Sequence, residues 1–321
     1  MKYLCLLFSL MPLLAPAQAP SWKPAKPVEI TVGAAPGGAN DRIGRTLQRL
    51  LQDGRVSTPV SVLNKPGGGQ SVAFSYLGAH AGNPHYLGLA SSSWLTTVAA
   101  GRGTITPKEL SPIVKLLDEY QLYFVRADSP IKRARDVVER LRRDPASLSF
   151  GFSTAAGNPT HISIGELARQ AGADPTKIKA VVFNSGTDTS SQVAGGHVDV
   201  GVQSPGSVMQ LVQGGKLRLI GIAAPRRYPG VLADVPTLRE QGVDVIANVF
   251  YTVFGPKGLD AAQLAFWDDA LAGIMKSDAV KKDVNFNYWT VNIIGHRELP
   301  AFLDKELEHY RRTLIALGMA K

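Results

Sequence analysis

The stretch VEITVGAAPGGAND, residues 28–41, carries the signal that decides the fold. Its first five residues are rich in β-branched side chains and lie between Pro27 and Gly33, which predicts a short strand. The residues after Asn40 place apolar side chains at helical spacing, which predicts a helix. A strand, a glycine-rich loop and the beginning of a helix therefore follow one another.

The junction between this strand and this helix suits a negatively charged group. The first amides of a helix have no partner within it, and the helix dipole is positive at that end. Glycine has no Cβ atom, so a ligand can come close to the backbone. A second glycine turn, Asn64–Gly69, follows the strand-like run Val60–Leu63. The alternative is that the glycines only close tight turns, and one loop alone does not separate these two interpretations.

The N-terminus has the pattern of a secretory signal peptide. Lys2 precedes an apolar run from Leu4 to Leu14, and small residues follow at cleavage spacing, which predicts cleavage near Ala17 or Ala19. The alternative of a retained anchor is weaker, because the run is shorter than the ~20 residues that span a bilayer. Cys5 is the only cysteine. The mature protein is therefore expected to have no disulfide, no cysteine nucleophile and no cysteine-ligated zinc.

Size and charge narrow the class of protein. Roughly 300 residues remain after cleavage, which favours two lobes over one core. The net charge is +9, but the sequence has no recognition-helix motif and no basic tail, so we expect no nucleic-acid partner. The most basic segment, residues 131–143, has the apolar spacing of a solvated amphipathic helix. Excess positive charge would raise the encounter rate with anionic ligands.

Strand-like and helical runs alternate along the chain, which predicts an α/β protein with mostly parallel sheets flanked by helices. A long extended stretch, Ile113–Val125, is predicted to cross into the second lobe. The predicted organisation is a signal peptide over 1–19, a first lobe over 20–123 plus 232–321, and a second lobe over 124–231. Two connections, near Phe124 and after Ala224, would form a hinge beside a ligand cleft.

Several motifs together resemble one known family. They are the two glycine loops Gly37–Asp41 and Asn64–Gly69, followed by Gly195–Asp199, Gly214–Gly221 and Asp234–Gly242. In this order they resemble the substrate-binding receptors of tripartite tricarboxylate transporters, the Bug family, over essentially the whole mature chain. The resemblance implies a two-lobed periplasmic binding protein of the Venus-flytrap type, type II-like, that is monomeric, has no cofactor or metal, and is not an enzyme. It implies capture of a small carboxylate, such as an organic acid, amino acid or aromatic acid, for the transporter's membrane subunits.

The resemblance also places the ligand loops, and the residue pattern adds the end of the third strand. The expected ligand-binding residues are Ala35, Pro36, Gly37, Gly38, Ala39, Asn40, Asp41, Ser91, Ser92, Ser153, Thr154, Asn158, Thr160, His161, Phe183, Asn184, Ser185, Gly186, Asp188 and Gln203. Two loops depart from the family pattern. Asn158 stands where the family usually has serine, and Phe183–Gly186 replaces a Tyr-Lys-Gly turn. The ligand of a typical member therefore does not transfer directly.

Individual residues in these loops have more than one interpretation. Asp41 either caps the helix and pairs with Arg45 or contacts the ligand. His161 either donates a hydrogen bond to the ligand or ties its own loop. Trp94 either lines the cleft or fills the core. Ser91 and Ser92 follow the third strand, at the edge where α/β clefts open.

Other functions have less support. Ser153 follows a strand, as the nucleophile of a serine hydrolase does, but the predicted helix begins only near Thr160. His80 and His85 do not have the spacing of zinc ligands. The partner could be a sensor kinase in place of a transporter, and the sequence does not distinguish between these two partners.

Overall fold

The computed structural model describes residues 22–54 and 56–320, so the predicted signal peptide and Cys5 lie outside the described residues. The strands are β1 (Val28–Val32), β2 (Val60–Asn64), β3 (Tyr86–Ser91), β4 (Leu110–Tyr120), β5 (Leu122–Arg126), β6 (Ser149–Ser153), β7 (Lys179–Phe183), β8 (Val200–Gln203), β9 (Leu217–Ile222), β10 (Asn248–Pro256) and β11 (Thr290–Gly295). The helices are α1 (Ala39–Gly54), α2 (Ser71–Gly78), α3 (Ser92–Ala99), α4 (Ala134–Arg143), α5 (Pro159–Gln170), α6 (Gly186–Ala194), α7 (Met209–Gln213), α8 (Ala261–Lys276), α9 (Asp278–Asn287) and α10 (Leu299–Ala316). Over the described ranges, none of these helices is long and apolar enough to cross a membrane.

The strands form two sheets. A six-stranded sheet has the order β11-β4-β10-β3-β1-β2, and a five-stranded sheet has the order β7-β6-β8-β5-β9. The pairs β2–β1, β1–β3, β7–β6 and β6–β8 are parallel, and the remaining pairs are antiparallel. The predicted α/β class with two helix-flanked sheets is confirmed, and the sheets are mixed rather than mostly parallel. The reason is that β4 leads the chain out of the first sheet and β10 leads it back, so these neighbours run in opposite directions.

Helices cover both faces of each sheet and bury separate cores. The predicted apolar stripe of α1, which includes Ile43, Leu47 and Leu51, packs with β1 and β3 on one face of the six-stranded sheet. On the other face the ring of Trp94 stacks on Phe74 at 4.1 Å between ring centroids. Trp94 is fully buried, so it fills the core and does not line a cleft.

The two connections between the sheets, at Gln121 and at Ala247, lie side by side. Gln121 separates β4 from β5, and Ala247 directly precedes β10. The amide of Gln121 donates to the carbonyl of Ala247 at 3.1 Å, and its carbonyl accepts from the amide of Ala223 at 2.9 Å. The amide of Ala247 donates in turn to the carbonyl of Ala223 at 2.9 Å. Backbone hydrogen bonds therefore tie three chain segments together at the crossing.

Segment 223–247 packs with the five-stranded sheet. Leu238, Val243 and Val245 are buried in the core of the five-stranded sheet, although the prediction assigned them to the first lobe. The segment 223–247 contains only short 3-10 turns, so it has no periodic pattern from which its packing could be inferred. We propose that the second lobe comprises residues 122–247 and that the chain returns at Asn248.

A buried carboxyl group lies next to the crossing. Glu119 is on β4, and its Oε2 accepts a hydrogen bond of 3.2 Å from the hydroxyl of Tyr251 on β10. Burial raises the pKa of Glu119 from 4.5 to about 7, while the bond from Tyr251 acts in the opposite direction. The folded protein therefore favours the protonated form of this side chain at mildly acidic pH.

The packing of β8 against β5 gives a first prediction. A Cβ atom at Gly201 would collide with the ring of Phe124, which is completely buried. We expect Gly201→Ala to lower the free energy of unfolding by about 1–3 kcal/mol, because an aromatic ring in a packed core has no room to move away. Urea denaturation measures this change. Gly206→Ala is the matched control, since a Cβ atom there has no neighbour within 4 Å, and an equal loss in both variants would contradict the prediction.

Glu119 gives a prediction about pH. Its folded pKa of about 7 lies above the ordinary 4.5, so its contribution to stability is fully present below pH 4.5 and is lost as the pH rises to 7. Glu119→Gln mimics the protonated form. We therefore expect wild type to lose about 3 kcal/mol relative to this variant between these pH values. Urea denaturation as a function of pH tests this. The exposed Glu139→Gln is the control, and parallel curves for wild type and Glu119→Gln would refute the prediction.

Candidate functional site

Three loops meet at the carboxyl edge of the parallel strands β1, β2 and β3. The side chain of Gln70, in the loop after β2, joins them: its Oε1 accepts from Asn40 Nδ2 at 3.1 Å and from the amide of Ser91 at 3.1 Å. Its Nε2 donates to Ser91 Oγ at 2.6 Å. All three residues are more than nine-tenths buried. Two of the predicted residues, Asn40 and Ser91, are therefore joined through Gln70 in one hydrogen-bonded unit, which we call the Gln70 network (Asn40, Gln70 and Ser91).

The glycine loop before α1 is arranged around its exposed tip. Ala35, Pro36 and Gly37 are exposed, and Gly37 has a left-handed backbone with φ of 84°. The amide of Gly37 donates to the Asp41 carboxylate at 2.8 Å. The first helical bond runs from the amide of Arg42 to the carbonyl of Gly38.

This arrangement determines which amides are free at the start of α1. Within the described part of the chain, the amides of Ala39, Asn40 and Asp41 have no hydrogen-bond acceptor. Gly38 and Ala39 are only partly buried. These free amides, rather than that of Gly37, are available to an anion at the positive end of the helix dipole.

Both carboxylate oxygens of Asp41 accept hydrogen bonds from residues of its own lobe. One carboxylate oxygen accepts from Arg45 Nε at 2.9 Å and from Gly37, and the other accepts from Asn64 Nδ2 at 2.9 Å. Burial alone would raise the pKa of Asp41, but the hydrogen bonds from Arg45, Gly37 and Asn64 outweigh it and lower the pKa. Of the two interpretations, pairing with Arg45 is the one that the structure contains, and Asp41 also joins the first two glycine loops.

The two serines after β3 have different surroundings. Ser91 belongs to the Gln70 network, whereas Ser92 has no exposed surface and its Oγ accepts from the amide of Phe250 at 3.3 Å. Ser92 therefore serves the packing of α3 on β10.

The loop between β6 and α5 contains a second hydrogen-bonded unit. Asn158 Nδ2 donates to the carbonyl of Ser153 at 2.8 Å and to Thr154 Oγ1 at 3.0 Å. Asn158 Oδ1 caps α5 by accepting from the amide of His161 at 2.8 Å. Thr154 has a left-handed φ of 78°, an unfavourable conformation that is held by its neighbours. Its amide donates to the carbonyl of Phe183 at 3.0 Å, which joins the second and third predicted loops.

His161 has a defined tautomer. Its Nδ1 accepts from the amide of Gly157 at 3.1 Å, so the proton of the neutral ring is on Nε2. The ring stacks on Phe152 at 4.6 Å between centroids, and burial lowers the pKa of His161 to about 4. His161 ties its own loop, as one interpretation predicts, and its Nε2–H has no acceptor within the described residues.

The beginning of α5 also connects to the crossing between the sheets. Thr160 Oγ1 donates to Gln121 Oε1 at 3.4 Å, and Gln121 Nε2 donates to the carbonyl of Glu119 at 3.2 Å. A movement of the backbone at the crossing would therefore change the hydrogen bond that Gln121 makes with the first turn of α5.

The third predicted loop, Phe183–Asp188, is the most exposed. Ser185 caps α6 by accepting from the amide of Asp188 at 3.1 Å, and Asn184 is exposed. A Cβ atom at Gly186 would lie 3.0 Å from Gln203 Oε1, so this turn is close to the end of β8. Gln203 Nε2 donates to Thr189 Oγ1 at 3.2 Å.

The predicted residues thus form two groups, one at the carboxyl edge of each sheet. In the part of the chain that the structure describes, no hydrogen bond or ion pair joins residues 34–41 to residues 153–161 or 183–188. The residue that the sequence interpretation missed is Gln70. The available signal was a polar residue directly after three glycines, at the end of the loop that follows β2.

Neither the hydrogen bonds of a serine-hydrolase site nor the ligand cluster of a metal site occurs in the described part of the chain. Within residues 22–54 and 56–320, no histidine nitrogen is hydrogen-bonded to Ser153 Oγ, and no three histidine, aspartate or glutamate side chains cluster as metal ligands would.

Comparison with known proteins gives the family. Residues 43–318 match the family described as "Tripartite tricarboxylate transporter family receptor". Protein BugT of Bordetella pertussis is 24% identical over 311 residues, which are 95% of this chain and 93% of BugT.

Two solved structures share the fold. A Rhodopseudomonas palustris protein with adipate has a TM-score of 0.78 at 18% identity, and the match covers 92% of this chain and 99% of that protein. MatC from the same organism, with bound malate, has a TM-score of 0.73 at 20% identity and covers 91% of this chain and 99% of its own. The match over residues 43–318 confirms the family that the sequence motifs resemble. The chain belongs to the tripartite tricarboxylate transporter receptor family, and it is a solute-binding receptor rather than an enzyme.

Proposed function

We propose that this receptor captures a small carboxylate between its two lobes and delivers it to the membrane subunits of a tripartite tricarboxylate-type transporter. The observation that carries the proposal is the set of free amides at the first turn of α1, at the carboxyl edge of parallel strands. Two relatives with the same fold were solved with adipate and with malate, both small dicarboxylates.

The electrostatics of the first lobe favour an anion that is held by dipoles. The carboxylate in the first turn of α1, Asp41, is paired with Arg45 and hydrogen-bonded to Asn64, so its charge is compensated within the lobe. The free amides of Ala39 and Asn40 supply fixed partial positive charge without a bulky cation. In the second lobe, neutral His161 offers Nε2–H as a donor. The net charge of +9 would favour approach of an anion.

The location that we propose is the periplasm. The apolar segment before Ala17 and Ala19 has the pattern of a cleaved export signal, and capture for a membrane transporter requires the receptor to be on the outer side of that membrane.

Removal of a single backbone N–H group tests the role of the free amides. Ala39→Pro removes the N–H group at the first position of α1, where proline is well tolerated in a helix. We expect the dissociation constant for the bound acid to rise at least about tenfold, because a hydrogen bond to a charged group is lost. Calorimetry with malate and adipate as probes measures this.

The chain contains a matched control for that substitution. Ala261 is the first residue of α8, which has 16 residues like α1, and Ala261→Pro makes the same change at a helix outside the proposed site. We expect its affinity to stay within about twofold of wild type. Equal affinity of a folded Ala39→Pro protein and wild type would mean that the α1 amides do not hold the ligand. Failure of wild type to bind any small carboxylate would overturn the proposed function.

Transport and sensing can be separated in cells. We expect deletion of the gene to abolish uptake of the bound acid while transcription induced by that acid continues. Unchanged uptake together with lost induction would support a sensor-kinase partner and contradict delivery to a transporter.

A further inference from the structure

We propose that the carboxamide of Gln70 sets the hydrogen-bonding polarity of the first-lobe site, and that the site thereby selects carboxylates that carry a hydroxyl or ammonium group beside the carboxylate. This inference rests on the proposed function and specifies the ligand class. It makes Gln70 a positioning residue, which acts through Asn40 and Ser91.

The orientation of Gln70 follows from a group that can only donate. The backbone amide of Ser91 lies 3.1 Å from Gln70 Oε1, and a backbone N–H has no capacity to accept. The opposite orientation of the carboxamide would set two donors against each other. Gln70 Nε2 therefore faces Ser91 Oγ, at 2.6 Å, and donates to it. The hydroxyl proton of Ser91 is left free to donate elsewhere.

The orientation of Asn40 follows from that of Gln70. Gln70 Oε1 also lies 3.1 Å from the carboxamide of Asn40, so Asn40 must present Nδ2 to it. Asn40 Oδ1 then points away from Gln70. Within the described residues no donor binds this oxygen, and it is not among the polar atoms that are sealed from solvent without a partner. The network thus leaves one open acceptor, Asn40 Oδ1, and one open donor, the hydroxyl of Ser91.

Two structural features show how tightly the position of Gln70 is constrained. Gln70 has a left-handed backbone with φ of 77°, which is unfavourable for a residue with a side chain. Position 33 must be glycine, because a Cβ atom there would lie 2.6 Å from Gln70 Cβ and 2.7 Å from Gln70 Cγ. Strain of this kind persists where the surrounding structure requires a particular geometry, and it is common at ligand sites.

The open groups define the ligand. A carboxylate can accept from the free amides of α1 and from the Ser91 hydroxyl. Asn40 Oδ1 needs a donor on the ligand, which a hydroxyl or an ammonium group supplies. An acid without such a group would displace water from Asn40 Oδ1 and leave this oxygen without a partner. That loss is the usual basis on which a polar site rejects an analogue that lacks one hydrogen-bonding group.

Pairs of acids that differ only in that group test the inference. We would measure dissociation constants by calorimetry for malate against succinate, aspartate against succinate, 2-hydroxyadipate against adipate, and phenyllactate against phenylpropionate. For each pair that binds, we expect the substituted acid to bind about tenfold more tightly.

Two variants of similar size test the role of Gln70. Gln70→Glu still accepts from the Ser91 amide and from Asn40, so it keeps the orientation of Asn40. Its second carboxylate oxygen accepts the Ser91 hydroxyl proton, which is then no longer available to the ligand, and it adds negative charge. All acids should therefore bind at least about tenfold more weakly. The ratio of the two dissociation constants within each pair of acids should stay as in wild type. Gln70→Met fills the same space without hydrogen bonds, so Asn40 can turn and the ratio should fall to about 1. If Gln70 had only a structural role, Gln70→Glu and Gln70→Met would give the same ratio of dissociation constants within each pair.

Asn40→Ala provides a second route if Gln70→Met does not fold. It leaves both hydrogen bonds between Gln70 and Ser91, and it should also bring the ratio to about 1. Equal affinities within the pairs for wild type, or a full ratio in folded Gln70→Met or Asn40→Ala, would overturn the inference while carboxylate capture stands. If wild type binds none of these acids, the proposed function fails, and the inference fails with it.

Discussion

The crossing of the chain between its two sheets is the constraint on which the rest of the structure depends. Gln121, Ala223 and Ala247 belong to three segments far apart in sequence, and their backbone groups bond to one another at 2.9–3.1 Å. Because β4 leaves the first sheet here and β10 returns, the strands near the crossing must be antiparallel. The buried Glu119 and the first turn of α5 are both attached to this place, so the crossing links the interior of one lobe to the candidate ligand loops of the other.

The candidate site is built from backbone groups that are oriented by side chains. Asp41 occupies the amide of Gly37 and leaves those of Ala39 and Asn40 free, while Arg45 compensates its charge. In the second lobe, Asn158 caps α5 and holds Thr154 in its left-handed conformation. Asp41 and Asn158 find their partners within their own group of loops, whereas Asn40 Oδ1 and His161 Nε2–H have no partner among the described residues. Those few atoms, rather than a dedicated cation, would define what the receptor recognises.

Elements with a local periodicity in the sequence were predicted correctly, whereas features that depend on distant partners were not. The strand, loop and helix over residues 28–54, and the amphipathic helix within 131–143, are confirmed because their signals are local periodicities. The mixed direction of the sheets was not predicted, and Leu238, Val243 and Val245, which the sequence interpretation assigned to the first lobe, are buried in the core of the five-stranded sheet. Strand direction depends on partners far away in sequence, and segment 223–247 has no period. The candidate ligand loops were placed by the family resemblance, whereas the hydrogen-bond partners of Asp41 and His161 within their own loops are seen only in the tertiary structure.

The sequence by itself determined the α/β class, the family and the loops at the carboxyl ends of the strands, because glycine turns, helical stripes and family motifs are read along the chain. Only the tertiary structure decided which groups in those loops are free. The orientation of Asn40 depends on Gln70, and that of Gln70 depends on the amide of Ser91, a residue 21 positions later in the chain. The raised pKa of Glu119 likewise arises from its burial beside Tyr251, 132 positions away. Hydrogen-bond polarity and burial are properties of neighbours in space, and folding alone brings those neighbours together.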